Sequence, residues 1–497
     1  MKTRTISSAA LVIFGITGDL AHRKLLPALY HLAKDMLLPD NFQIIGVTRS
    51  GTTVPELLKD VRKNIIAEDG ACDDRALAWL GDAIQIVTMN ISQKEDYAKL
   101  KKALDDHEDR VGACTNRLFY LAVPSQTFGS IATLLGESGL TRGCGHRIGE
   151  SRLLIEKPFG YDLQSARDLV KTLGEHFSEK QIYRVDHYLA KETAQNILTF
   201  RFNNPLFRAV WHEKSIHSIM ITAAEDIDIE GRVAFYEQTG ALRDIIQSHL
   251  LQLMALVTME QPKAHDAVSI HASKLALLKA VKPIAPNQVA THAVRGQYDG
   301  YQHDVGNHAS TTETYAALRL EIDTPRWKNV PVLLRTGKAL VEKVTEITLV
   351  FRDKAGYDEH ENTLTLRIQP NEGISIELQA KKPGFESDSE TVQMDFCYAR
   401  SGQGIHPDAY ERVLVDALRG DKTLFATSDE VIAAWQVVEH VIHTWSMGRD
   451  DMQAYKKGSW GPKTADELAR RADTAWVSQH LRICQTHSSV DESGSKK

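Results

Sequence analysis

Cysteine is scarce in this chain. There are five among 497 residues (Cys72, Cys114, Cys144, Cys397 and Cys484), an odd number with no C-x-x-C pair. This argues against a disulfide framework or a cysteine-based zinc site and predicts scattered reduced thiols. Long apolar runs are also missing. No stretch approaches the roughly 20 residues of a membrane span, and the first ten residues lack the apolar core of a leader peptide. The expectation is a cytoplasmic address and no membrane partner. Neither sign of charge dominates: the net charge is −6, too little basic excess for nucleic acid to be the partner. No H-E-x-x-H or comparable pattern occurs, so no metal is expected. There is no internal repeat.

What is present is an ordinary globular composition, 42% hydrophobic and 25% charged, in a chain too long for one hydrophobic core. In the first third, short apolar runs alternate with helical stretches. The runs are 9–14, 44–47, 84–87, 118–123, 153–155 and 182–185. Between the first two, Leu25, Leu26, Leu29, Leu32 and Ala33 repeat at helical spacing, with Pro27 marking the helix start. Strand–helix alternation of this kind means βαβ units and a mostly parallel sheet. Beyond about residue 186 come helical stretches over 188–199 and 241–259. Alternating strand-like runs follow at 215–223, 315–322, 344–351, 363–368 and 373–379, the pattern of an antiparallel sheet. The expected fold class is therefore α/β plus α+β: a Rossmann-like parallel-sheet domain over 1–185, then a larger, mainly antiparallel domain over 186–484. Residues 485–497 read as a polar, flexible tail.

The first strand ends in Gly15-Ile16-Thr17-Gly18-Asp19-Leu20, just before the first helix. Glycines there permit a tight turn and close approach of the backbone to a pyrophosphate, which the helix N-terminus then favours. G-x-x-G alone is a weak signal; its place between strand one and helix one strengthens it. At the end of strand two, where NAD sites carry an acid for the ribose 2′-hydroxyl, this chain has Arg49. A guanidinium suits a 2′-phosphate, so NADP is the expected cofactor, with NAD open as a second one.

Two further segments are dense in chemistry. In Asp186-His187-Tyr188-Leu189-Ala190-Lys191-Glu192, a helix starting near His187 puts His187 and Lys191 at i, i+4. With Tyr188 they present an imidazole, a phenol and an ammonium to one anion, although spacing alone equally describes a solvated helix face. In the helix around 240–252, Asp244 and His249 lie about 140° apart for regular α-helical winding, and spacing alone gives His249 no catalytic claim.

With these motifs, the chain resembles the glucose-6-phosphate dehydrogenase family over nearly its whole length. The matching segments are the G-x-x-G-D-L-A turn, Glu156-Lys157-Pro158-Phe159-Gly160, the Asp186–Glu192 stretch with Ala190 where glycine is usual, the Asp244–His249 helix, Arg335–Leu340 and Asp408-Ala409-Tyr410-Glu411-Arg412. The resemblance implies oxidation of D-glucose 6-phosphate at C1 to the 6-phospho-1,5-lactone, the first step of the oxidative pentose phosphate pathway. It implies His249 as the base and Asp186 as its partner. His187, Tyr188 and Lys191 would hold the phosphate, and Glu225 and Asp244 the sugar hydroxyls. Lys338, Lys343 and Gln369 would line the substrate side, and Lys157 would stand between cofactor and substrate, before an X-Pro bond that is cis in the family. Asn90, where aspartate is common, and Ile91 would meet the adenosine. Ser125 after Pro124 departs from the family's paired prolines. The family also implies a homodimer or homotetramer built on the large sheet. Two alternatives stand beside this reading. One is an oxidoreductase of the glucose–fructose type, which would not combine both helical signatures; the other is an NADP-binding sensor without turnover.

Overall fold

The computed structural model describes residues 8–142, 150–352, 361–385, 387–398, 407–448 and 450–477. The expected tail at 485–497, with Cys144 and Cys484, lies outside them. The chain forms two compact units. The first draws on Met1–Ala190, Pro262–Leu275 and His406–Trp435; the second on Lys191–Gln261, Ala276–Ile405 and Gln436–Lys497.

The first unit holds six strands, β1 (Ser8–Phe14), β2 (Asn41–Thr48), β3 (Ile84–Thr88), β4 (Asn116–Leu121), β5 (Ser151–Ile155) and β6 (Ile182–Arg184). All pair in parallel, in the order β3-β2-β1-β4-β5-β6. This is the doubly wound dinucleotide-binding order, in which the order reverses between β1 and β4. Every residue of β1 is buried, as expected of a strand covered on both faces. Apolar clusters lie on each face: Leu11 and Ile13 on one, Val12 and Phe14 on the other. Local signals set the helix ends. Thr53 and Glu56 form a capping box at the start of helix Val54–Asp69, which ends at Gly70 with φ 77°.

The second unit contains β7 (Ile216–Ala224), β8 (Ala293–Tyr298), β9 (Tyr315–Leu320), β10 (Val332–Gly337), β11 (Val344–Phe351), β12 (Thr363–Gln369), β13 (Gly373–Lys381), β14 (Ser389–Cys397) and β15 (Met452–Tyr455). They form one sheet in the order β14-β13-β12-β11-β7-β10-β9-β8-β15. Neighbours are antiparallel except β7 with β10 and β8 with β15. The expected fold class is thus observed. Four strands, β8, β10, β14 and β15, were not among the expected runs. β14 is exposed along most of its length, so no alternation marks it, and β15 has four residues.

Two local expectations are corrected. The helix predicted from residue 188 begins at Glu192, with Lys191 as its extended N-cap (φ −68°, ψ 140°). Residues 187–190 are a turn instead, because the Asp186 carboxylate accepts the Tyr188 N–H at 3.0 Å and its carbonyl accepts the Leu189 N–H at 3.1 Å. An aspartate that bonds its own backbone two residues on competes with helix. His187 and Lys191 are therefore not an i, i+4 helical pair. Among the cysteines, Cys72 is a free thiol. Cys114 and Cys397 are each in a disulfide, against the expectation of reduced thiols, since linear spacing does not reveal which sulfurs meet in space.

Candidate active site

In the first unit, the expected cofactor residues lie where its parallel strands end. Gly15 leaves β1 with φ 83°, and a Cβ there would sit 2.5 Å from the Ala122 carbonyl oxygen. Only glycine fits this turn. The Gly15 and Ile16 amides donate to the Val47 carbonyl, at 3.0 and 3.3 Å, and the Gly18 amide donates back to Gly15 at 2.9 Å. The turn leads into the helical segment at Asp19 and Leu20, whose first-turn amides have no intrahelical acceptor. A backbone cradle that a single methyl group would fill, opening on free amide donors, fits a pyrophosphate. Ile16 offers the turn only its backbone: its side chain is buried, in the space a Gly46 Cβ would need. Thr17 and Asp19 are exposed, and Asp19 pairs with Arg23 at 3.8 Å.

Arg49 is exposed one residue past β2 and is in no ion pair among the described residues. That leaves its guanidinium available to a 2′-phosphate. Asn90 follows β3; its side-chain oxygen accepts the Ser92 amide at 3.0 Å, and its own amide donates to Asp96 at 2.6 Å. The neighbouring Ile91 carbonyl accepts the Tyr97 hydroxyl at 2.9 Å. Lys157 is half-buried beyond β5, and the Lys157–Pro158 bond is cis. Beyond β6, Asp186 and Tyr188 are buried while His187 is half-exposed. Ala190, in place of the usual glycine, is buried in the apolar cluster around Leu11 and Leu29.

The second unit gathers a different set. Glu225 follows β7, Lys338 follows β10, Lys343 precedes β11 and Gln369 ends β12. Given the strand directions, all four lie at the same end of these neighbouring strands. Lys338 is 5% exposed, and its ammonium pairs with the Glu225 carboxylate at 2.6 Å. Lys343 is exposed. Gln369 donates to the Thr345 hydroxyl at 3.2 Å. Lys191 lies 3.9 Å from Glu372, whose carboxylate also accepts the Thr193 amide at 2.9 Å.

Asp244 and His249 lie on a segment that packs against β7 and β10. Its Leu242–Leu250 portion is π-helical, so the regular α-helical angle between them does not apply. Bonding from i to i+5 places His249 one turn beyond Asp244 on a common face. Gly240 (φ 64°) starts this segment against Glu313, which accepts the Leu242 amide at 3.0 Å. His249 is 1% exposed. The buried Tyr236 phenol joins the cluster: burial, then Asp244, and more weakly Glu225, push its pKa well up, and its ring lies 5.7 Å from the Lys338 ammonium.

The sequence reading had no role for Tyr236, Glu313, Glu372 or the carboxyl of Glu156. Each is chemically unremarkable in its segment and becomes notable only through partners far along the chain. Among the described residues, no group of His, Cys, Asp and Glu could hold a metal ion, and no helix is long and apolar enough to cross a membrane.

Comparison with known proteins identifies this architecture. Residues 12–196 match the NAD binding domain of glucose-6-phosphate dehydrogenase, and residues 198–477 match its C-terminal domain. The chain is 40% identical to glucose-6-phosphate 1-dehydrogenase of Aggregatibacter actinomycetemcomitans, covering 94% of this chain and 97% of that one. The crystal structure of the Mycobacterium avium enzyme superposes with a TM-score of 0.81 at 35% identity, covering 94% and 98% of the two chains. A glucose-6-phosphate dehydrogenase in complex with its substrate glucose-6-phosphate superposes with a TM-score of 0.87 at 33% identity, covering 95% and 98%. The chain belongs to the glucose-6-phosphate dehydrogenase family.

Proposed function

We propose that this protein oxidises D-glucose 6-phosphate at C1 to 6-phospho-D-glucono-1,5-lactone, using NADP, as the first step of the oxidative pentose phosphate pathway. The observation that carries the reading is the sorting of the motif residues into two clusters. Residues scattered from Gly15 to Gln369 fall beyond the strand ends of the parallel sheet or at one end of the strands of the mixed sheet, where Asp244 and His249 lie on the segment packed against β7 and β10.

Bound NADP would supply the hydride acceptor, and the chain's own residues do the rest. His249 takes the C1 hydroxyl proton as that carbon loses hydride, and the Asp186 carboxylate orients the imidazole and stabilises its charged form. His187, Tyr188 and Lys191 hold the phosphate. Glu225 and Asp244 accept from sugar hydroxyls, while Lys338, Lys343 and Gln369 close the substrate side. Lys157 stands between sugar and coenzyme. Gly15 through Leu20 cradle the pyrophosphate, Arg49 the 2′-phosphate, and Asn90 and Ile91 the adenosine. Because the phosphate is remote from C1, its binding energy fixes the pyranose for reaction.

In this reading residues 1–185 serve the coenzyme, and 186–484 serve the substrate and assembly. NAD stands as a second coenzyme. A homodimer or homotetramer through the mixed sheet is supported by Met394 and Phe396, exposed at 61% and 45% on β14. A cytoplasmic address follows from the metabolic role. The test is steady-state turnover with both coenzymes. NADPH formation with glucose 6-phosphate and little with glucose is expected; coenzyme binding without turnover would select the sensor instead.

A further inference from the structure

Two motif residues have no part in the chemistry above: Glu156 of the E-K-P-F-G run and Tyr410 of D-A-Y-E-R. Both belong to the first unit, and there they meet. Glu156 accepts the Tyr120 hydroxyl at 2.5 Å, and the Tyr410 hydroxyl lies close enough to draw the pKa of the same carboxyl down. Tyr120 is fully buried on β4, so its phenol ties the carboxyl to the parallel sheet. The Tyr410 ring stacks on His187, with centroids 6.2 Å apart and planes 13° from parallel. Tyr188 meets the same imidazole at 5.0 Å and 58°.

We propose that Glu156 and Tyr410 form a positioning pair, in which the carboxyl fixes the phenol ring on which the phosphate-binding imidazole of His187 stacks. The reason is mechanical. His187 is half-buried on a turn, not on a helix face, so regular secondary structure does not set its ring direction. An unsupported imidazole would lose rotamer freedom on meeting the phosphate, and that cost is removed when the ring is stacked beforehand. The phenols are suited to the task. Burial raises both, so both stay donors through the neutral range. Burial also lifts the Glu156 carboxyl to about 7, opposed by Tyr120, Lys157 and Tyr410 and reinforced by the Asp186 charge.

The proposal rests on the functional reading only in taking His187 as a phosphate ligand, and its test has two arms. In kinetics, Tyr410→Leu should raise KM for glucose 6-phosphate about tenfold with little change in kcat, and should leave kcat/KM for unphosphorylated glucose within about twofold. Tyr410→Phe, which keeps the ring, should recover most of the loss, and Glu156→Gln should raise KM about threefold. In a His187→Ala background, Tyr410→Leu should add nothing. An equal penalty on both sugars, or additivity with His187→Ala, overturns the proposal. The second arm needs no turnover. In histidine-labelled enzyme without substrate, the His187 Cε1–H resonance should lose its ring-current shift in Tyr410→Leu and move in Glu156→Gln. An unmoved resonance in both variants also overturns it. Should the wild type fail to oxidise glucose 6-phosphate, the functional reading falls and the resonance alone decides the positioning role.

Discussion

The two units assemble their functional clusters by different means. The first uses backbone. Its turn at Gly15–Gly18 is held by main-chain bonds to Val47, and its remaining residues follow the C-terminal ends of parallel strands. The second uses side chains fixed by one another, as in the pair of buried Lys338 with Glu225 and the His249 segment wound in wide turns. A parallel sheet exposes a crevice at the carboxyl ends of its strands by topology alone. A mixed sheet has no such default, so its site is built from charges and packing.

Four substitutions would break or sharpen this contrast. The largest effect is expected for His249→Ala, which should lower kcat about 10³-fold with coenzyme affinity intact. Stopped-flow turnover beside coenzyme titration checks it, and turnover near the wild-type rate removes His249 as the base. Next is Gly15→Ala. A side chain at φ 83° with its Cβ 2.5 Å from a backbone oxygen must displace the cradle, so coenzyme Kd should rise about 100-fold. Sugar-phosphate affinity measured by calorimetry should hold; a parallel loss in both ligands would show that the two clusters are not separable. Arg49→Ala should weaken NADP about tenfold or somewhat more while sparing NAD. Equal losses in the two Kd values would leave the 2′-phosphate assignment without support.

The smallest effect concerns stability in the first unit. His31 bonds Glu411 and Asp69, each at 2.8 Å. Glu411, opposed by burial and aided by Asp69, raises its pKa to about 9. The folded state therefore holds this proton more tightly than the unfolded chain, whose histidine titrates near 6.5. The contribution is full below that value and is lost as pH rises through about 9. His31→Ala should thus cost on the order of 2 kcal/mol at pH 6. The Tm gap to wild type should narrow toward pH 10, and a gap that widens would contradict the charged form.

Much of the first unit was legible because its signals are local. Apolar runs matched β1 through β6, and Gly15 and Gly18 stood where a strand passes into a helix. The second unit was less readable. β14 is exposed along most of its length and shows no alternation, and the second half of β10 was read only as part of a motif. The Asp186–Lys191 stretch looked helical, yet the Asp186 carboxylate turns the chain at Tyr188 and delays the helix to Glu192. Asp244 and His249 were separated on paper by regular α-helical winding that the packed segment does not adopt.

The sequence by itself determined the strand–helix alternation, the glycine turn, the basic residue past β2 and the motifs by which the chain resembles its family. Each depends on neighbours within a few positions, where propensity and turn sterics act. Only the tertiary structure decided that Lys338 is neutralised by Glu225, that Leu242–Leu250 winds widely over β7 and β10, and that Glu156 reaches Tyr410 across more than half the chain. Those outcomes depend on burial, which makes an unpaired charge or hydroxyl costly and so selects partners by proximity in space.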